Sequence, residues 1–317
     1  MTKRISAARG AIYTEVMLRR SFLRTLACLP AGGALLSGLL RGQNGVTIST
    51  LAEDLHLLAG AGGNIAILEG EDGLLLVDSG LPTTVEALLG AAGKIGTGRI
   101  TRLINTHYHF DHTGGNVRLG TDGARIIAHV NVRARLAAPQ TIAFLNRTTE
   151  PLAAAGLPVE TFTDKGRLAH GGETVDYRRL PPAHTDGDTV IVFANANVHH
   201  AGDLFFNGSY PFIDYSAGGS LAGMAADAEL LIKSVEGSTR IIPGHGRLAS
   251  KVDLRVYADM LAACLEVMNQ QLRAGRTLDQ MLAAQPFKAY DDKWGKGFMN
   301  AEQWIKLNYA GMAKQPA

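Results

Sequence analysis

Cysteine is almost absent from this 317-residue chain: Cys28 and Cys264 are the only two. Cys28 falls in an N-terminal segment with the character of a removable leader. The body would then keep one thiol, and a disulfide scaffold is excluded even in an oxidising compartment. Cys264 shares a helical apolar stripe with Leu254, Tyr257, Leu261, Leu265 and Met268, which marks it as core packing. Also missing is a long unbroken apolar run. The stretch from Thr25 to Leu40 is short and softened by Pro30, Gly32 and Gly33, so it makes a poor membrane span. There is no Pro/Ser-rich linker and no repeat at the 20–50-residue period of a solenoid. The roughly 270 residues behind the leader suit one large or two small domains.

A basic body is lacking too. Residues 1–43 hold Lys3, Arg4, Arg9, Arg19, Arg20, Arg24 and Arg41 against the single acid Glu15. Removing that surplus of six from the chain's +2 leaves about −4 for the remainder, so no basic footprint for nucleic acid remains. Arg19-Arg20-Ser21-Phe22-Leu23-Arg24, followed by the modest apolar run, resembles a twin-arginine export signal. The resemblance implies handling by the twin-arginine translocase, cleavage near residues 37–46 and a periplasmic body with no stable membrane association; a basic amphipathic extension and an uncleaved anchor are the alternative readings of the segment.

Strand signals dominate early, at His56-Leu57-Leu58, Asn64 to Leu68 and Gly73 to Val77. Helical patterns at Thr84 to Ala92, Asn131 to Leu136 and Leu221 to Val235 then alternate with strands at Arg125 to Ala128, Thr189 to Phe193 and Arg240 to Ile242. This succession fits two mixed sheets with helices outside, an α/β architecture. From Val252 onward the pattern is mostly helical.

The stretch His107-Tyr108-His109-Phe110-Asp111-His112 places four metal-binding side chains in six positions. Ile100 to Asn105 ahead of it reads as a buried strand, and Thr113-Gly114-Gly115-Asn116 behind it as a turn into a helix. The donors therefore sit on a loop at a strand end, where layered α/β folds commonly place their sites. Imidazole and carboxylate donors suit zinc, and also iron, manganese or cobalt. Further candidates are His184 in His-Thr-Asp-Gly-Asp, Asp203 after Gly202, and His245 between two glycines. Asp78 ends an apolar strand and is costly to bury unpaired, so it is expected to orient a ligand histidine. His129 is a candidate support near the site, and His200 a structural residue. Asp186 and Asp188 are read as serving their own loop, and Tyr210 and Tyr215 as pocket wall or as donors to a reacting carbonyl.

Together, Val77-Asp78-Ser79-Gly80, Thr106 to Asn116, His184 to Asp188, Gly202-Asp203 and Pro243-Gly244-His245-Gly246 resemble the ordered motifs of the metallo-β-lactamase superfamily, over roughly residues 50 to 250. The resemblance implies a four-layer αββα sandwich across 44–250, with 251–317 as a helical extension packed on it. It also implies two zinc ions, the first held by His107, His109 and His184, the second by Asp111, His112 and His245, with Asp203 bridging. Such a pair would share a hydroxide, and Asp111 would orient or deprotonate the shared water from which it forms. The substrate would be a small molecule with an ester, lactone, thioester or amide carbonyl, β-lactams included.

Histidine at 109 is unlike the flavodiiron branch, which has glutamate there, and a carboxylate at 203 is unlike the histidine-rich zinc β-lactamases. Bridging Asp203 resembles glyoxalase II and the acyl-homoserine-lactone lactonases, but the basic glutathione-binding residues of glyoxalase II are not evident. Two other classes compete with the hydrolase: a mononuclear iron dioxygenase of sulfur compounds, and a non-catalytic periplasmic metal-binding accessory protein. Metal identity, oxygen consumption and an ester and lactam screen separate them.

Overall fold

The structure is a computed structural model that describes residues 40–41 and 45–313. The twin-arginine leader expected over residues 1–43 thus lies outside the described residues, apart from Leu40–Arg41. One sheet has eight strands in the order β1 (Leu40–Arg41), β2 (Thr47–Thr50), β3 (Leu55–Ala59), β4 (Ile65–Gly70), β5 (Gly73–Val77), β6 (Ile100–Ile104), β7 (Arg125–His129) and β10 (Glu160–Phe162). It is antiparallel up to β5 and parallel from β5 to β10. The other has five strands in sequence order: β11 (Lys165–His170), β12 (Glu173–Arg179), β13 (Thr189–Phe193), β14 (Val198–Asn207) and β15 (Arg240–Gly246). Only its last pair, β14 with β15, is parallel.

The period-two pleat of the apolar runs builds the layers. On β5, Leu75 and Val77 face inward with Leu68 and Ile104, and meet Val175, Tyr177, Ile191, Phe193 and Ile242 of the second sheet. Leu74 and Leu76 face outward with Ile65, Ile67 and Leu103, and are covered by Leu88 and Ala92 of α1 (Val85–Ala92). The outer face of the second sheet buries Val190, Ala201 and Ile241 under α5 (Leu221–Ser234) and α6 (Lys251–Arg273). These are the four layers implied by the resemblance. Each apolar run is buried on both faces, hence its near-continuous hydrophobicity.

Shorter helices decorate this frame: α2 (Phe110–Thr113), α3 (Asn116–Thr121) and α4 (Val130–Leu136), then α7 (Leu278–Ala284), α8 (Lys288–Trp294) and α9 (Ala301–Met312) after α6. Capping boxes start α6 at Ser250/Asp253, α7 at Thr277/Gln280 and α9 at Asn300/Gln303. The last helices bury Met281, Phe287, Trp294 and Trp304 in the same core as α5, α6 and the second sheet, and Cys264 is buried there as expected. No helix among the described residues is long and apolar enough to cross a membrane.

Several local expectations change. The segment from Ala137 to Leu157, which carries no strand signal in the sequence, contains a hairpin, β8 (Gln140–Ile142) with β9 (Arg147–Thr149). Asp111 and His112 lie on the single turn α2 rather than on a loop. Gly202-Asp203 belongs to the ten-residue β14, and the strand expected to end at Ile242 continues through His245. For β14 and β15 the pairing with each other decides the strand limits, and local pattern carries no such information.

One buried group strains this core. Asp227 of α5 is fully buried, and neither carboxylate oxygen has a hydrogen-bond partner. Burial pushes its carboxyl up to about 7, with Asp188 adding to the effect and Arg179 and Arg178 opposing it. An acid whose folded pKa lies above its unfolded value near 4 loses stability as pH rises from about 4 to about 7, and no more above that. Asp227→Asn should therefore gain on wild type by about 1–3 kcal/mol between pH 4.5 and pH 8. Urea denaturation at both pH values measures the difference, and a pH-independent offset would refute the assignment.

Candidate metal centre

The site forms where strand ends of the two sheets meet. β5 and β6 are parallel, so Asp78 and the His107–His112 segment leave the first sheet at the same end. β14 and β15 are parallel in the second sheet and carry Asp203 and His245. Two register breaks flank Asp203, between His200 and Gly202 and between Gly202 and Phe206. Such bulges turn a side chain out of the regular pleat. Gly202 sits at φ +51, and a Cβ there would lie 2.8 Å from Thr106 Cβ, which explains the glycine before the aspartate. At Gly244 a Cβ would lie 1.9 Å from Asp203 Oδ1, so the close approach of β15 also requires glycine.

All seven expected donors are brought together, in two groups. Ligand atoms of His107, His109, His184 and Asp203 lie within 4.8 Å of one another, as do those of Asp111, His112 and His245. In the first group His109 Nδ1 is 3.1 Å from His107 Nε2 and 2.8 Å from His184 Nε2. The outward nitrogens of these rings are committed. His109 Nε2–H donates to Asp214 Oδ2 at 3.1 Å, and His184 Nδ1–H to the Phe212 carbonyl at 2.8 Å. The Thr106 hydroxyl donates to Asp78 Oδ2, so it accepts from His107 Nδ1–H at 3.0 Å. Burial pushes His107 down, helped by His112, and pushes His184 down to about 4 although Asp203 opposes it. His107 and His184, with their outer nitrogens donating, thus aim inward lone pairs at a centre to which His109 Nδ1 also points. A cation at that centre would bind all three nitrogens.

In the second group His112 Nε2 and His245 Nε2 are 3.4 Å apart. Asp111 Oδ2 lies 3.7 Å from the first and 3.3 Å from the second. Asp203 faces both groups: Oδ2 is 3.3 Å from His184 Nε2 and 3.4 Å from His245 Nε2, and Oδ1 is 3.1 Å from His112 Nε2. Oδ1 is nonetheless misaligned for a hydrogen bond and is left without a partner although buried. An orphaned carboxylate oxygen between two sets of imidazoles fits a bridging metal ligand, and the donor set fits zinc or a similar divalent ion. Burial would lower His112, but Asp203, Asp111 and Asp78 raise it well above the usual histidine range. His245, also opposed by burial, is raised to about 9, chiefly by Asp203 and Asp111. These carboxylates call for positive charge, and a metal would supply it with release of protons.

The supports are equally defined. Asp78 sits at φ +67, a left-handed conformation that Asp tolerates better than most residues. Its carboxylate accepts from Thr106 N at 2.8 Å, from Thr106 Oγ1 at 2.7 Å and from His112 Nδ1–H at 2.7 Å. This is the orienting role expected of it. Asp188 accepts from the backbone N–H groups of His184 and Thr185, as a loop residue should, and Asp186 pairs with Arg135. His200 donates to the Asn64 carbonyl and accepts from Gly202 N, which braces the bulge.

Other expectations fail. His129 donates to the Thr163 carbonyl and caps α4 through Asn131 N, and it touches no donor of the cluster. Tyr210 and Tyr215 point into the C-terminal helices. Tyr210 donates to Asp291 Oδ1 at 3.0 Å and Tyr215 to Asn308 Oδ1 at 2.8 Å, so neither is pocket wall or carbonyl donor. Sequence reading missed Asp214, which accepts from Tyr108 Oη and His109 and is held by Ser216 N and Ala217 N. Its only signal was an acid inside an apolar run, Phe212-Ile213-Asp214-Tyr215. Asn64 was also missed. Its side chain donates to the carbonyls of Pro243 and Gly246 and fixes the strand that carries His245.

A cavity of about 430 Å³ opens onto Asp111, Asp203, His109 and His245. A larger cleft of about 690 Å³, around Glu69, Glu71, Arg102 and His170, shares no residue with the cluster.

Asp214 holds a histidine of the first group alone, whereas Asp78 holds His112 of the second directly and His107 of the first only through Thr106. Asp214→Asn should therefore weaken metal binding at the first group, and Asp78→Asn chiefly at the second, by about 10–100-fold in affinity. Competitive titration with a chromogenic chelator resolves the two steps. Equal weakening of both steps by either variant would contradict the division.

Comparison with known proteins agrees with this geometry. The family model described as the metallo-beta-lactamase superfamily matches residues 59–245, more than half of the chain. A hydroxyacylglutathione hydrolase of Polaromonas is 30% identical over 132 residues, 36% of this chain and 43% of that protein. One from Rhodospirillum rubrum is 26% identical over 165 residues, 52% of this chain and 55% of that protein. The chain thus spans about half the length of these relatives. A metallo-beta-lactamase from Pontibacter korlensis shares the fold at TM-score 0.56 and 16% identity, covering 68% of this chain and 99% of that one. With its strand-end donors, its two facing sheets and its family match, the chain belongs to the metallo-beta-lactamase superfamily.

Proposed function

We propose that this chain is a dinuclear zinc hydrolase of small carbonyl substrates: esters, lactones, thioesters or amides. The observation that carries the reading is the pair of donor groups sharing Asp203, with inward imidazole lone pairs and an orphaned carboxylate oxygen. Seven donors exceed what one tetrahedral ion uses, and the cavity beside them leaves room for a substrate. The name of the two bacterial relatives, hydroxyacylglutathione hydrolase, adds thioesters to the candidates.

When bound, a metal pair supplies a water-derived nucleophile at neutral pH and polarises the carbonyl. The chain's own residues set the geometry. Asp78, Thr106, Asp214 and the Phe212 carbonyl fix four of the five rings, so little reorganisation is needed during reaction. Asp111 is partly exposed to the cavity, and its carboxyl is lowered to about 2; burial raises it, but His112 and His245 outweigh that. Oδ2 is therefore ionised at neutral pH and can orient a water or take its proton. Apolar side chains around the opening limit competing bulk water.

Asp111→Asn keeps the size and one oxygen but loses charge and basicity. It should cut kcat/KM by about 10²–10⁴-fold while the fold survives. The assay uses whichever ester, lactone or thioester is turned over, with metal content measured by elemental analysis. Activity within threefold of wild type would refute the role. One iron and no zinc in the wild-type protein would instead favour the dioxygenase.

We also propose periplasmic residence by the twin-arginine route, on the motif Arg19 to Arg24. Replacing Arg19 and Arg20 together by Lys should leave the precursor in the cytoplasm on cell fractionation. An unchanged periplasmic yield would count against this route.

A further inference from the structure

The cavity beside the metal centre is polar at one end and aromatic at the other. At its floor stand His109, Asp111, Asp203 and His245. Its walls come from three separate parts of the chain: Ile142 and Leu145 at the β8–β9 hairpin, Phe206 and Phe212 at and after β14, and Phe298 between α8 and α9. No lysine or arginine lines it. The nearby Arg147 guanidinium lies 3.5 Å from the Phe110 ring centroid and lines a neighbouring cavity of about 270 Å³ with Glu150.

The aromatic side chains form a continuous path. Phe212 sits 5.8 Å from the His109 ring and 6.1 Å from the His184 ring, centroid to centroid. From Phe212 the path forks at 6.4 Å to Phe144 of the hairpin turn and at 6.4 Å to Phe298. Both outer rings face water: Phe298 is 64% exposed and Phe144 36%. Large apolar side chains left exposed beside a cavity lined by the donor cluster, and converging on one buried ring, mark a binding surface rather than scattered exposure.

We propose that this aromatic wall receives the apolar acyl arm of a neutral substrate, with the carbonyl at the metal-facing floor. The proposal rests on the hydrolase reading above and narrows its substrate class. An arm lying between Phe144, Phe212 and Phe298 exchanges water for ring contact over its length. A carboxylate-bearing arm, as in a glutathione thioester, would find no countercharge in this cavity and would lose hydration. The C-terminal extension takes part directly, because Phe298 lies within it.

The test uses the protein as recovered after export, zinc-loaded, in two independent measurements. In the first, 4-nitrophenyl acetate, butyrate, hexanoate and octanoate are compared. Each added methylene should raise kcat/KM by roughly two- to fourfold, as expected for burial of a methylene group. Phe298→Ala and Phe144→Ala should each cut the octanoate-to-acetate ratio of kcat/KM at least fivefold. In the second, acetate and octanoate are bound by calorimetry without any turnover, and octanoate should bind at least tenfold more tightly. Octanoate binding no better than acetate, or a glutathione thioester turned over faster than every neutral ester, overturns the proposal. Tighter octanoate binding that depends on Phe298, with no ester, lactone or thioester hydrolysed, supports the apolar site and overturns the hydrolase reading instead.

Discussion

The structure turns on one electrostatic constraint: buried donors converge where a cation would hold them together. Five imidazoles and two carboxylates converge at the meeting of two sheets, and most of them are buried. Three of the rings have their outer nitrogens tied to Thr106, Asp214 and the Phe212 carbonyl, which turns their inner nitrogens toward one another. Asp203 leaves one oxygen without a hydrogen bond between the two groups. Burying such groups without compensation is costly, so the surrounding fold has to hold them in place. The bulge at Gly202, the glycine at 244, the left-handed Asp78 and the Asn64 clamp across the two sheets are the devices that do so.

The C-terminal helices belong to the same account. The segment after β14 carries Phe212 and Asp214, the partners of His184 and His109. That segment is anchored from behind: Tyr210 stacks on Trp304 at 4.7 Å and donates to Asp291, Trp304 Nε1 donates to the Pro211 carbonyl, and Tyr215 donates to Asn308. The extension therefore reaches the first donor group through two hydrogen bonds. It also closes the outer end of the cavity with Phe298. One set of helices stabilises the centre and shapes what can approach it.

Much of this was legible in the chain. Donor chemistry depends on residue identity, and identity is what a sequence displays. Hence His107, His109, Asp111, His112, His184, Asp203 and His245 could all be named, and the structure brings them together. Asp78 could be named because an acid at the end of an apolar strand needs a partner. Two mixed sheets with helices outside followed from apolar runs alternating with helical patterns, and the αββα order followed from the resemblance of the motifs. The roles of Tyr210, Tyr215 and His129 were misread because a side chain's direction depends on what packs behind it. Asp214, Asn64 and the aromatic wall went unseen because their partners lie far away in sequence: Asn64 reaches Pro243, and Phe212 meets both Phe144 and Phe298.

The division follows from the range of the forces involved. By itself the sequence determined which atoms can hold a metal, which runs must be buried and where helices begin, since these depend on composition and on neighbours a few residues away. The tertiary structure alone decided which distant groups brace each ring, that one oxygen of Asp203 is left without a hydrogen bond, and that the cavity is aromatic and free of lysine and arginine. Those features are set by distances of a few ångströms between segments far apart in the sequence, fixed only when the two sheets close on each other.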